Sequence, residues 1–194
     1  MVRKEVLYFD EFGPQNTAET IKAAKKAALD LRLKHVVVAS GSGATGVKVA
    51  EEFKGSKIKV VVVTEYAGAL EFKEEYGKKL KELGATVVTG IHAFLSPAES
   101  ISKLCEKHCS ENTIIKEVLY RFSQGTKVAT EIVLMATDAG AIPEGEDVVA
   151  MAGTDKGADT AIVIKSCHAG SFFDKEKGIE FREIIAMPRK KKFW

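Results

Sequence analysis

Three short runs of β-branched residues constrain this chain more than anything else in it: "HVVVAS" (35–40), "IKVVVVTE" (58–65) and "ATVVTG" (85–90). Continuous valine runs of strand length, bounded by turn residues, are the pattern of strands buried on both faces. Between them the period changes to that of helices. Ile21, Ala24, Ala28 and Leu31 recur at helical spacing after Pro14, with Asn16 or Thr17 placed to cap. Val47 to Phe53 reads as a helix closed by Gly55, and "EFKEEYGKKLKELG" (71–84) as another. Helix, strand, helix, strand, helix, strand means parallel βαβ units with right-handed crossovers.

The texture then changes. Ser96-Pro97 opens "AESISKLCEKHC", Ser110 stands as cap to "ENTIIKEVLYRF", and Gly125 precedes "TKVATEIVLMATDAG". All three read as helices, the last apolar enough to pack in the core. Strands return with "EDVVAMAG" and "DTAIVIKS" around the turn "TDKGAD", and "GIEFREIIAMPR" alternates as a final strand. No stretch has linker composition, so residues 1–194 read as one α/β domain.

Composition narrows the partners. With 194 residues, 45% hydrophobic and 29% charged, the chain can bury a sizeable core. A formal net charge of +2 gives no general affinity for nucleic acid. The tail Arg189, Lys190, Lys191, Lys192, Phe193, Trp194 concentrates charge locally and suits a solvated end or an oligomer contact, which leaves room for a homo-oligomer. No apolar run reaches the ~18 residues of a membrane span, and the start lacks a signal-peptide core, so a cytoplasmic protein without a membrane partner is expected. Cys105, Cys109 and Cys167 form no disulfide framework, consistent with a reducing compartment.

The chemistry concentrates in "SGSGATG" (40–46). A buried strand ends there, glycines permit a tight turn, and a helix starts at once. Its free N–H groups and positive dipole end then face an anion. Ser40, Ser42 and Thr45 add hydroxyl donors, while Gly41, Gly43 and Gly46 spell a literal G-x-G-x-x-G. Glu65 lies about twenty residues further on, where a dinucleotide site places its ribose-binding acid. Three features oppose that reading. A full helix precedes the strand, the loop carries hydroxyls where a pyrophosphate loop offers bare backbone, and Gly46 falls inside the helix. A loop gripping one phosphate is the stronger reading.

Residues 18–64, from "AETIK" to "VVVVT", resemble the start of the C-terminal α/β domain of pyruvate kinases. There a helix leads to a strand, a Ser/Thr-x-Ser-Gly-x-Thr loop, a helix and a strand ending in Thr. Ser40, Ser42, Gly43, Thr45 and Thr64 occupy those positions. Residues 140–164 resemble the same domain's later Gly-x-x-x-x-Gly-Asp segment through Gly140, Gly145, Gly153, Gly157 and Thr160, with Glu146-Asp147 at its Asp. Residues 91–139 match in helical texture only. The chain resembles stand-alone prokaryotic proteins of this domain type. The resemblance implies a three-layer α/β/α fold with a mostly parallel sheet and a pocket for a phosphorylated small molecule. No segment resembles the catalytic barrel, so pyruvate kinase activity is not expected. Gly41 and Ala44 stand where the sugar-phosphate-regulated enzymes have hydroxyls. Stand-alone members are associated with flavin mononucleotide (FMN) in that pocket, which makes FMN the cofactor the resemblance implies.

In an open parallel sheet the ligand lies across the carboxyl ends of the strands. That rule adds Thr64 and Tyr66, His92, Thr137 and Thr154 to the loop, with Asn16 and Thr17 at the first helix N-terminus. Two alternatives to a flavin site stay open: a sensor of a sugar phosphate or nucleotide, and a nicotinamide-dependent oxidoreductase using Gly41–Gly46 and Glu65. Cys105, His108 and Cys109 share a helix face but lack a fourth ligand, so no metal site is expected. Cys167 and His168, adjacent on a strand, point to opposite faces and give no nucleophile pair. No catalytic residue is assigned.

Overall fold

A computed structural model describes Met1, residues 3–67, 72–94, Ile101 and residues 110–193. The described strands are β1 (Leu7–Phe9), β2 (His35–Ala39), β3 (Lys59–Thr64), β4 (Thr86–Thr89), β5 (Asp147–Ala152), β6 (Thr160–Lys165) and β7 (Glu180–Pro188). The described α-helices are α1 (Thr17–Asp30), α2 (Ala44–Glu52), α3 (Glu74–Glu82), α4 (Glu111–Phe122) and α5 (Gln124–Asp138). The strands form one sheet in the order β1-β7-β6-β5-β2-β3-β4. Six of them run parallel; β6 alone is antiparallel to its neighbours β5 and β7.

Alternation of side chains along the strands assigns each residue to a face. Val36, Val38, Val60 and Val62 pack with Ile21, Ala24 and Ala28 of α1, Val47 and Ala50 of α2 and Leu80 of α3. Val37, Val61, Val63, Val148 and Ala150 face the other way, onto Ala129, Ile132, Val133 and Ala136 of α5. This is a three-layer α/β/α arrangement. Val36, Val37 and Val38 are all 0% exposed, and burial of each stabilises the fold by about 1.5–3 kcal/mol. That two-sided burial is why the valine runs show no polar alternation.

Helix caps follow sequence chemistry in the second half of the chain. Ser110 Oγ accepts from Thr113 N–H at 3.3 Å and Ser123 Oγ from Thr126 N–H at 2.8 Å. The first half departs from expectation at two points. Asn16 sits at the N-cap of α1, yet its amide donates to Glu11 O at 2.8 Å and makes no capping bond. Helix α2 begins at Ala44, three residues before Val47, because Gly43 adopts φ 97° and turns the chain directly into the helix. The segment opened by Ser96-Pro97, with Cys105, His108 and Cys109, and Trp194 of the tail lie outside the described residues. Among the described residues no helix is long and apolar enough to cross a membrane.

Candidate functional site

The chain order sets where a ligand can lie. From β2 the crossovers run through α2 and α3 to β3 and β4 on one side, whereas β5 pairs with β2 on the other. The order in which strands are added therefore reverses between β2 and β5, although the two run parallel. At such a switch point the connections from neighbouring strand ends splay to opposite faces and leave a crevice. A crevice of about 580 Å³ occupies this position. It is lined by Ser40, Gly41, Ser42 and Thr45 after β2, by Thr64 and Glu65 after β3, by His92 after β4, and by Gly153, Asp155, Lys156 and Gly157 after β5. Helix α5 closes one wall with Gln124, Val128, Glu131, Ile132 and Met135.

The loop after β2 is built around its own hydrogen bonds. Ser40 Oγ accepts from Gly46 N–H at 3.0 Å, which satisfies one of the orphan donors of α2 from inside the turn. Ser42 Oγ lies 3.5 Å from Ala44 N–H, and Thr64 Oγ1 donates to Gly41 O at 3.1 Å, tying β3 to the loop. The N–H groups of Ser42, Gly43 and Thr45 make no hydrogen bond among the described residues. They stand at the positive end of α2, and Lys48 on its second turn and Lys156 across the crevice add two cations.

A second polar group lies along the α5 wall. Glu131 is 0% exposed and all its bonds are to protein: Lys127 Nζ donates to Oε2 at 2.5 Å, and Phe94 N–H donates to Oε1 at 3.1 Å. His92 Nδ1 lies 3.1 Å from the same Oε2, and its Nε2 lies 3.8 Å from Glu65 Oε2. Burial pushes the Glu131 carboxyl upward, but the His92 and Lys127 hydrogen bonds and charges prevail and hold it below the usual carboxylate range. The His92 imidazole is raised above 6.5, chiefly by its hydrogen bond to Glu131, against the opposing effect of burial. Ionised Glu131 can only accept, so Nδ1 carries a proton in either state of the ring.

The crevice gathers Thr17, Ser40, Gly41, Ser42, Thr45, Thr64 and His92 of the residues proposed from sequence. It does not gather the others. Gly43 turns its α-carbon toward Tyr76 and Phe72, and Asn16 spends its amide on Glu11 O. Tyr66 is 53% exposed, outside the lining. Thr137 donates to Val133 O of its own helix, and Thr154 is buried in the β5–β6 turn beside Asp159. Thr17 itself is occupied, donating to Pro14 O and accepting from Ala158 N–H at 3.0 Å. Gly46 has a packing role: a Cβ there would meet Val62 Cγ1 at 2.7 Å. Sequence reasoning missed Lys48, Gln124, Lys127, Glu131 and Lys156. The signal for two of them was Lys127 and Glu131, spaced i, i+4 within an otherwise apolar helix.

The family model described as "Pyruvate kinase, alpha/beta domain" matches residues 18–164. Among solved structures the chain is similar to Cryptosporidium parvum pyruvate kinase in complex with ADP. Identity there is 15% over 96% of this chain and 25% of that one, with a TM-score of 0.37. A crystal structure of Cryptosporidium parvum pyruvate kinase matches at 15% identity over 84% of this chain and 23% of that one, with a TM-score of 0.36. The chain thus spans a quarter or less of the length of these enzymes.

Proposed function

The chain belongs to the pyruvate kinase alpha/beta-domain family, and on that footing we propose that it binds a phosphorylated small molecule, its phosphate on the Ser40–Thr45 loop. The observation that carries this reading is the backbone donors of Ser42 and Thr45 at the start of α2, which make no hydrogen bond among the described residues, with Lys48 lining the same crevice. A phosphate there gains hydrogen bonds and the helix field together. Thr45 and Ser42 supply hydroxyl donors to the remaining oxygens.

FMN is the ligand we propose for this crevice. Its volume, about 580 Å³, lies within the range of about 300–1,000 Å³ that small-molecule sites occupy. Val128, Ile132 and Met135 offer an apolar wall for a flat ring, and the loop offers the phosphate end. Bound there, a flavin supplies hydride or single-electron transfer, while the protein supplies position and electrostatics.

Visible absorbance and mass spectrometry of the purified protein test the flavin directly. A colourless preparation that also takes up no added FMN refutes it. Ser42→Asp tests the phosphate position. Asp suits a turn that opens a helix, so the fold persists. Its carboxylate faces the phosphate, and affinity for FMN falls by about 100-fold or more. Unchanged affinity places the phosphate elsewhere.

Two observations favour a nicotinamide dinucleotide as a second reading. Glu65 lines the crevice at the end of β3, and Gly46 packs on Val62 as the third glycine of a dinucleotide turn does. NADH binding that weakens in Glu65→Ala is the result this reading requires.

A further inference from the structure

Glu65 and His92 form a paired acceptor and donor on the crevice wall, and nothing in a phosphate-holding loop calls for them. Glu131 fixes the imidazole through Nδ1, so Nε2 is the free ring nitrogen, and it faces Glu65 Oε2 at 3.8 Å. That distance exceeds a hydrogen bond, and among the described residues Nε2 makes none. Two groups thus stand side by side without satisfying each other. Glu65 accepts only; the imidazolium donates.

We propose that Glu65 and His92 together read the edge of a heterocyclic ring that presents neighbouring N–H and C=O groups, a lactam or imide, on a ligand whose phosphate sits on the Ser40–Thr45 loop. The ring N–H donates to Glu65 and its carbonyl accepts from His92 Nε2–H. The proposal rests on the reading of that loop as a phosphate site. Charge selects against the simplest alternative: a second phosphate or a carboxylate would accept from His92 but stand against the Glu65 carboxylate. A sugar's neighbouring hydroxyls offer a donor and an acceptor too, but Val128, Ile132 and Met135, lining the same crevice, suit a flat apolar ring face. His92 is held in place by the rest of the network. Lys127 neutralises Glu131, so with Glu65 ionised the imidazolium brings the four groups to zero net charge.

Calorimetric titration of the whole chain tests this with five ligands: ribose 5-phosphate, FMN, uridine 5′-monophosphate, and the N3-methyl forms of the last two. At least one ring phosphate binds about 10- to 100-fold tighter than ribose 5-phosphate, the worth of hydrogen bonds to charged groups. N3-methylation, which removes the ring N–H, abolishes that advantage. In Glu65→Ala, and separately in His92→Asn, the preference for the ring phosphate over ribose 5-phosphate collapses toward unity. The Glu65 side chain makes no hydrogen bond among the described residues, so the first variant retains the fold. If the methylated rings bind as tightly as their parents, or neither variant changes the preference, the edge reading is overturned and the phosphate site stands. Riboflavin and uridine, titrated as controls beside the five, overturn the phosphate site instead if they bind as tightly as FMN and uridine 5′-monophosphate. Binding by none of the five overturns both.

Discussion

Gly46→Ala separates steric packing from nucleotide recognition at the third glycine of the loop. The added methyl would lie 2.7 Å from Val62 Cγ1 and 3.0 Å from Cγ2. Ordinary carbon contacts lie at about 3.5–4.0 Å, so α2 and β3 must part by roughly 1 Å or Val62 must leave its rotamer. Val62 is 0% exposed on a central strand and has nowhere to turn. Overpacking of this kind costs about 1–3 kcal/mol, and the rigid setting places it in the upper half. Alanine's better helix propensity returns about 1 kcal/mol. The net loss is therefore about 1–2 kcal/mol, a fall in Tm of roughly 2–8 °C for a chain of this size. Chemical denaturation of the single and double variants identifies the cause. Val62→Ala removes both clashing methyls, so Gly46→Ala should cost nothing in that background and should help fill the space left behind. Equal destabilisation by Gly46→Ala with and without Val62 refutes the packing argument.

Two further outcomes follow from the polar groups. The His92 pKa is raised in the fold, so the stability it contributes is complete below 6.5 and is lost as pH rises through its folded value. Glu131, lowered, contributes above 4.5 and loses its share as pH falls through its folded value. The unfolding free energy of the wild type minus that of His92→Asn should therefore be larger at about pH 5.5 than at about pH 8.5 in urea titrations; a constant difference contradicts the ion-pair geometry. Asp159→Ala removes a buried carboxylate that accepts from Gly13 N–H at 3.0 Å, Thr154 N–H at 3.2 Å and Thr160 Oγ1 at 2.9 Å. Stranding two backbone donors and leaving Thr160 Oγ1 only Ser123 Oγ should cost about 3 kcal/mol or more and speed hydrogen exchange of the 153–158 turn; protection equal to wild type would show that the turn does not depend on Asp159.

The valine runs made the centre of the sheet legible because a strand buried on both faces has one composition and few alternatives. The edge was harder. Leu7–Phe9 pairs with only one neighbour and carries only three residues, too few for a period to declare itself. The antiparallel setting of β6 was implicit in the short "TDKGAD" turn, since a parallel pair needs a dozen or more residues to cross over. The turn after β2, on which we propose the phosphate sits, was legible because its chemistry is local: glycines, hydroxyls and a helix start lie within seven residues. Thr137 and Thr154 read as candidates because a threonine near a strand or helix end looks the same whether its hydroxyl serves a ligand or the backbone. In both, the buried setting decided for the protein's own structure.

The His92 network could not be read from sequence, because it joins three elements: the strand ends after β3 and β4, and the face of α5. A helix required only to cover Val37, Val61 and Val63 needs no charge at positions 127 and 131. Replacing a buried ion pair with apolar residues of similar volume is commonly neutral or stabilising. Lys127 and Glu131 are 2% and 0% exposed, so each has given up its hydration. Their bonds do not run to the sheet; they run to each other, to Phe94 N–H and to His92. What the pair secures is the orientation and charge of an imidazole at the crevice. Helix α5 thus does two things at once, closing the core with one set of positions and holding a proton over the crevice with another.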